Sequence, residues 1–74
     1  MIYYTYMTNQ KDEKSLIEIA EMIKKAREKA KLTQAEVAEK TGIDVTYYAR
    51  IERGEIDTSG TKLIKLFKFL KIKI

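Results

Sequence analysis

Two short helices follow one another closely in the middle of the sequence. Thr33, followed three residues later by Glu36, forms a capping box, which is typical of a helix start. Gly42 can adopt the left-handed conformation that ends a helix. Asp44 can cap the next helix, which continues until Gly54. Two short helices joined by so tight a turn predict a helix-turn-helix unit.

Two further amphipathic helices flank this unit. Before it, apolar residues recur at helical spacing from Ser15 onward, at Leu16, Ile19, Ile23, Ala26 and Ala30. After it, Ser59 can cap a helix that runs to about Leu70 and turns its apolar residues inward, at Leu63, Leu66, Phe67 and Leu70. The sequence therefore predicts an all-α fold, a small four-helix domain of the helix-turn-helix kind over residues 15–70.

The two ends of the chain have a different pattern. In the amino-terminal tail, residues 1–14, Ile2, Tyr4 and Tyr6 alternate with other strand-forming residues. This tail is predicted to be either strand-like or a disordered end. The carboxy-terminal tail, residues 71–74, alternates Lys and Ile in the same way. The two tails can pair as short strands, within one chain or across a dimer, if the pair packs on the fourth helix.

Composition excludes several classes of function. A chain of 74 residues has room for one domain. It contains neither Cys nor His, so we expect no disulfide, no ordinary zinc site and no cofactor. Without these residues, a nucleophile paired with a histidine base is also excluded, and we do not expect an enzyme. With so small a core, homo-oligomerisation is the expected additional source of stability.

The charge distribution is compatible with a polyanionic partner. The chain carries 15 Lys and Arg against 11 Asp and Glu, a net charge of +4. Residues 33–54 hold only three of the bases and four of the acids, so the positive excess lies on both flanks. Such flanks can hold phosphates while the middle reads bases. With no apolar run near the ~20 residues of a membrane span and no signal peptide, we expect no membrane partner and a cytoplasmic location.

The segment from Ile23 to Leu70 resembles the phage-repressor-type helix-turn-helix family, the Xre/Cro repressor class. The matching residues are Arg27, the run LTQAEVA from Leu32, Gly42-Ile43, and the run IERG from Ile51. The resemblance implies a sequence-specific transcriptional regulator, a repressor, that binds a double-stranded DNA operator as a homodimer. It also implies that the helix over residues 44–53 enters the major groove while the second helix crosses the backbone.

Site residues follow from this resemblance and from a helical projection of the third helix. Tyr48 and Ile51 project to one side and must pack inward, with Tyr47 and Glu52 at the margins. The candidate DNA-binding residues are Thr33, Gln34, Asp44, Val45, Thr46, Tyr47, Ala49, Arg50 and Arg53. Without the motif, the exposed members of this set would be an ordinary solvated face. The resemblance further implies a structural ion pair between Arg27 and Glu52.

An antitoxin-type or adaptor protein is the alternative reading. In that case a toxin or another regulator is the main partner, the tyrosine-rich amino terminus binds it, and DNA binding regulates the chain's own operon. On the fourth helix, Ile64 and Phe69 project to opposite flanks of the apolar stripe, where a second subunit can cover them. The lysines of the first and fourth helices are most simply solubilising surface.

Overall fold

Four α-helices make up the domain, and the bounds of the last three are close to those that the sequence predicts. The computed structural model describes the backbone of residues 2–73 and the side chains of residues 15–73. The helices are α1 (Ile2–Lys29), α2 (Gln34–Thr41), α3 (Val45–Glu52) and α4 (Gly60–Phe69). Within residues 2–73 there is no strand, which confirms the all-α prediction. Across this described part of the chain, no helix combines the length and hydrophobicity that a membrane span requires.

The starts of α2, α3 and α4 are fixed by side chains. Thr33 Oγ1 accepts a hydrogen bond from the Glu36 amide at 3.1 Å, and Glu36 Oε1 accepts one from the Thr33 amide at 2.7 Å. This reciprocal pair satisfies two amides that a helix start otherwise leaves unpaired. Asp44 caps α3 and Ser59 caps α4 through the same kind of bond to backbone amides. The turn positions are therefore set locally.

All four helices end in the same hydrogen-bonded turn. In each, a backbone amide just beyond the helix donates to the carbonyl five residues earlier, which is the Schellman motif. These bonds run from Leu32 N to Arg27 O (3.1 Å), from Ile43 N to Ala38 O (2.9 Å), from Glu55 N to Arg50 O (3.0 Å) and from Ile72 N to Phe67 O (2.8 Å). The turn after α3 holds Glu55 over the last turn of that helix.

Each of these turns needs one residue with positive φ, and the chain meets this need in two ways. Glycine occupies the position after α2 and α3, where Gly42 has φ 72° and Gly54 has φ 71°. Lysine occupies it after α1 and α4, where Lys31 has φ 60° and Lys71 has φ 57°. Side chains with a Cβ pay about 1–2 kcal/mol for this conformation. The two lysine turns are therefore strained where the two glycine turns are not.

Replacing Lys31 with Gly should stabilise the domain. Glycine removes the steric cost of positive φ. It also gives the unfolded chain more conformational freedom, which lowers the stability of the fold by about 0.5–1 kcal/mol. The expected net gain is about 0.5–1 kcal/mol of unfolding free energy, measured by chemical denaturation. The matched control is Lys24→Gly, an exposed lysine inside α1, which should lose about 1 kcal/mol. A loss of stability in Lys31→Gly would contradict the expectation.

The structure corrects the prediction for both tails. Residues 2–14 are helical, continuous with α1, so the amino-terminal tail is neither strand-like nor disordered over these residues. No Gly or Pro occurs between residues 2 and 29, and adding residues to an existing helix is far easier than starting one. At the other end, Lys71 lies in the left-handed turn and Ile72 packs against the core. The predicted strand pairing of the tails is wrong over these residues, and the predictions for Met1 and Ile74 lie outside the described residues.

The core lies where α1, α2, α3 and α4 meet. Its fully buried side chains are Ile23, Val37, Tyr48 and Leu66, one from each helix. Thr41 is also buried, and its hydroxyl donates to the Val37 carbonyl at 2.7 Å, so this polar residue causes no unpaired group. Helix α3 packs on α2 and α1. One face of α3 is therefore fixed against the core and the opposite face is turned outward.

Candidate nucleic-acid interface

Helix α3 has two sharply different faces. Tyr48, Ile51 and Glu52 are buried against the other helices. The outward side carries exposed side chains, and the exposed fraction of Val45, a large apolar residue, is 43%. Monomeric surfaces carry such residues singly, but here it starts a row that continues around the helix. The exposed members of this row are Val45, Thr46, Arg50 and Arg53, and Ala49 is half-buried beside them.

Asp44 fixes the amino-terminal end of this face. One oxygen of its carboxylate accepts hydrogen bonds from the Thr46 amide at 3.0 Å and from the Tyr47 amide at 3.1 Å. Two of the unpaired amides of α3 are therefore already occupied. The charge of Asp44 sits at the positive end of the helix dipole. Asp44 therefore sets where α3 begins, and the exposed Val45 and Thr46 follow directly.

Tyr47 is tied to helix α4. The Lys62 ammonium lies 4.3 Å from the centre of its ring, a distance typical of a cation–π contact. Tyr47 is half-buried, so one side of its ring packs inward while the Lys62 ammonium lies over the other side. This contact places a lysine of α4 beside α3. Lys62 therefore joins the outward face, at the margin that Tyr47 marks.

A buried ion pair links three helices behind that face. Arg27 of α1 donates to Glu52 of α3 through two nitrogens, from Nε to Oε2 at 2.6 Å and from Nη2 to Oε1 at 3.1 Å. Its remaining Nη1 donates to the Leu32 carbonyl at 2.9 Å. Gln34, the first residue of α2, donates from Nε2 to Glu52 Oε1 at 3.1 Å. The side chain of Glu52 is only 1% exposed, so these donors take the place of the water that would solvate an exposed carboxylate.

The protonation of Glu52 reflects this environment. Burial alone raises the pKa of a carboxyl group, but the Arg27 guanidinium, the neighbouring Tyr48 hydroxyl and the Gln34 amide together outweigh it and hold the pKa of Glu52 below its ordinary value. Hydrogen bonding to Glu52 likewise raises the pKa of Arg27. Both partners are therefore charged at neutral pH. The bidentate geometry fixes the angle between α1 and α3.

Tyr48 packs next to this ion pair. The residue is completely buried, and its hydroxyl has no hydrogen-bond partner among the described residues. Burial, together with the neighbouring Glu52 carboxylate, raises the pKa of the Tyr48 phenol. The ring therefore anchors α3 through apolar contact. The hydroxyl lies beside the Glu52 carboxylate without making a hydrogen bond of ordinary geometry to it.

An acidic side chain engages both arginines of the outward face. Arg53 donates from Nε to Glu55 Oε2 at 2.6 Å and from Nη2 to Glu55 Oε1 at 3.2 Å. Arg50 Nε lies 3.5 Å from Glu55 Oε1. The hydrogen bonds from Arg53 hold the pKa of Glu55 below its ordinary value, so the group is charged at neutral pH. Three charged groups thus form one cluster at the carboxy-terminal end of α3.

The structure brings most of the predicted site residues to one side of the molecule. Val45, Thr46, Ala49, Arg50 and Arg53 share the outward face of α3. Thr33 is exposed at the start of α2, while Gln34 is half-buried and bonds to Glu52. Gln34 is one of the candidate DNA-binding residues, but in this conformation its side-chain amide is engaged inside the protein. The set of donors that remains exposed is therefore narrower than the sequence suggested.

Two contributors were not predicted as site residues. Lys62 lies against Tyr47, and Glu55 holds both arginines. The signal for Glu55 was present in the sequence, because a residue that follows the glycine of a Schellman turn lies over the last turn of the helix. No such local rule places Lys62, whose position depends on the packing of α4. Among residues 15–73, no three His, Cys, Asp or Glu side chains come together as a metal site would require.

One of the comparisons with known proteins identifies a family. A family model described as Helix-turn-helix matches residues 23–74. The match covers 52 of the 74 residues, including α2, α3, α4 and the last quarter of α1. No curated protein and no solved structure matches the chain at a significant level.

Proposed function

The chain belongs to the Xre/Cro-type helix-turn-helix family of DNA-binding regulators, and from that membership we propose that it is a sequence-specific transcriptional repressor. Helix α3 enters the major groove and α2 crosses the backbone. The observation that carries the proposal is the outward face of α3, where Val45, Thr46, Ala49 and Arg50 share one side of a helix anchored by Tyr48 and Ile51. Occupying a promoter excludes RNA polymerase, which makes repression the simplest regulatory outcome.

The outward face offers suitable chemistry for reading base edges. Arg50 can donate two hydrogen bonds to a guanine, and the methyl groups of Val45 and Thr46 can contact a thymine methyl. The Thr46 hydroxyl can donate or accept. Thr33 lies at the start of α2, where free backbone amides and the helix dipole favour a phosphate. Arg53 and Lys62 are further phosphate donors at the margins.

Selection of bound sequences from a random pool of duplex DNA tests this function. We expect an enriched palindrome whose half-sites lie about 34 Å apart, one turn of DNA. Arg50→Ala and Thr46→Ala should each relax selectivity at the bases they contact, by about 1–3 kcal/mol per contact, or roughly 5- to 150-fold. The matched control is Lys29→Ala, which removes one positive charge from an exposed position on α1. Selectivity that survives both α3 changes would contradict the site assignment.

A homodimer is part of the same proposal, because a palindromic operator requires two copies related by a twofold axis. Exposed apolar side chains on α1 and α4 support it, since Ile17 is 54% exposed and Ile64 is 53% exposed. Sedimentation over a range of protein concentrations, with and without operator DNA, measures the assembly. A protein that stays monomeric on a palindromic operator would contradict the dimer and leave the α3 assignment standing.

A protein partner is the second candidate function. A shallow groove runs between α1 and the end of α4, with apolar walls from Met22, Ala26, Ala30 and Ile72. Lys29 and Lys71 also line the groove. Such a groove favours a toxin or regulator that binds the chain while DNA binding controls their shared operon. Co-expression with the product of a neighbouring gene, followed by purification of a stable complex, would distinguish this function from that of a stand-alone repressor.

A further inference from the structure

We propose that Glu55 competes with DNA phosphates for Arg53 and Arg50, and thereby sets the affinity and the salt dependence of DNA binding. The inference rests on the proposed function, because it concerns the same face of α3. To a site so far described by its hydrogen-bond donors, it adds an acidic residue, and this residue lowers the affinity for DNA. The protein then carries an internal mimic of the phosphate that its arginines would hold.

The geometry of the cluster resembles that of an arginine on an anion. Arg53 makes two hydrogen bonds to the two oxygens of Glu55, at 2.6 and 3.2 Å. Guanidinium groups bind carboxylates and phosphates in this same forked arrangement. Arg50 lies 3.5 Å from one of those oxygens. A phosphate that approaches Arg53 must therefore displace the carboxylate from the donors it would itself use.

The backbone holds Glu55 in place for this contact. Its amide donates to the Arg50 carbonyl at 3.0 Å, and Gly54 adopts φ 71° to close the turn. The backbone of Glu55 thus lies over the last turn of α3, ahead of the loop that follows. Only Gly54 lies between it and Arg53, so the pair forms with little loss of chain freedom. The turn therefore places the Glu55 carboxylate within reach of Arg53.

All three side chains remain open to solvent and to a ligand. Their exposed fractions are 51% for Arg50, 55% for Arg53 and 46% for Glu55. An exposed pair of this kind contributes little to folding stability. Neutralising Glu55 should therefore leave the fold intact. The pair does control the net charge at the exposed end of α3, because the negative charge of Glu55 offsets the positive charge of one of the two arginines.

Neutralising Glu55 should change the salt dependence of DNA binding in the same direction whether Arg53 stays on Glu55 or moves to a phosphate. If Arg53 stays on Glu55 in the complex, one phosphate contact is missing. If Arg53 moves to a phosphate, Glu55 must take up a cation from solution, and this offsets the cation released from DNA. In both cases, neutralising Glu55 should steepen the plot of log affinity against log salt by about one unit, the contribution of one phosphate contact.

The test measures binding of the full chain to a mixed-sequence DNA duplex over a series of salt concentrations. Glu55→Gln should raise affinity about three- to tenfold at ~50 mM salt, with a gain that shrinks as salt rises. Asp57→Asn is the matched control, because it removes the same charge from an exposed residue of the same loop. Asp57→Asn should change affinity less than about twofold. In an Arg53→Gln background, the gain from Glu55→Gln should fall by at least half.

Each outcome is decisive. Equal gains from Glu55→Gln and Asp57→Asn would mean that only net charge matters, which overturns the inference. Wild-type binding that Glu55→Gln leaves unchanged or weakens also overturns it, while the proposed function stands. If neither the wild type nor Glu55→Gln binds any duplex at low salt, both the function and the inference fail. Melting temperatures of all variants within a few degrees of wild type show that folding is not the cause.

Discussion

Replacing Arg27 with Ala should remove about 3–5 kcal/mol of unfolding free energy, which is the cost of leaving one member of a buried pair without its partner. Glu52 would lose its charged partner in a site where its side chain is 1% exposed. A domain of this size has a total stability of roughly 4–11 kcal/mol. We therefore expect Arg27→Ala to be partly or wholly unfolded at 37 °C, as measured by thermal melting and circular dichroism.

Two variants separate the ion pair from other effects of the change. Lys24→Ala removes a positive charge from an exposed position one turn away on α1 and should change stability by less than about 0.5 kcal/mol. The double change Arg27→Met with Glu52→Leu removes both charges and should recover much of the loss, because apolar residues of similar volume can replace a buried pair. An unchanged melting temperature in Arg27→Ala would show that the pair does not hold the fold.

Replacing Tyr48 with Ala should cost about 3–5 kcal/mol, as expected for a large aromatic side chain in a core. The ring is fully buried, and it anchors α3 from the side opposite the outward face. Losing it leaves a cavity beside the Arg27–Glu52 pair. Chemical denaturation measures the loss, and hydrogen exchange of the α3 amides should show faster opening of this helix in particular.

Tyr48→Phe isolates the hydroxyl from the ring. Because the Tyr48 hydroxyl has no hydrogen-bond partner among the described residues, its removal should stabilise the domain by about 1 kcal/mol. The ring contacts stay the same, so Tyr48→Ala and Tyr48→Phe should move stability in opposite directions. A clear loss in Tyr48→Phe would mean that the hydroxyl is satisfied in solution, and that it belongs to the polar network around Glu52.

The helix-turn-helix unit could be predicted from the sequence because its boundaries are set by local chemistry. Thr33 with Glu36 starts α2, Gly42 ends it, and Asp44 starts α3, each through bonds to atoms a few residues away. The inward side of α3 also follows from its sequence, since helical periodicity places Tyr48 and Ile51 together. These features require no knowledge of tertiary packing.

The amino-terminal segment could not be predicted in this way. Alternating residues such as Ile2, Tyr4 and Tyr6 have high strand propensity, but that propensity depends on a partner strand. In the structure these residues continue α1. The ring contact of Tyr47 with Lys62 was also out of reach, because it joins two helices whose relative position is set by packing. Local sequence signals thus predict where helices begin and end, whereas the residues that neighbour the site depend on long-range packing.

The repeated Schellman turns also decide where the chain can be lengthened. Between α1 and α2, and between α2 and α3, every connecting residue belongs either to such a turn or to the cap that follows it. One added residue there would separate a helix end from the next helix start and displace α3. The connection between α3 and α4 differs, because residues 56–58 lie between the turn at Glu55 and the cap at Ser59. Asp57 is the exposed one of the three, so an insertion beside it, whether acquired in evolution or engineered as a loop or tag, is the one these turns tolerate best.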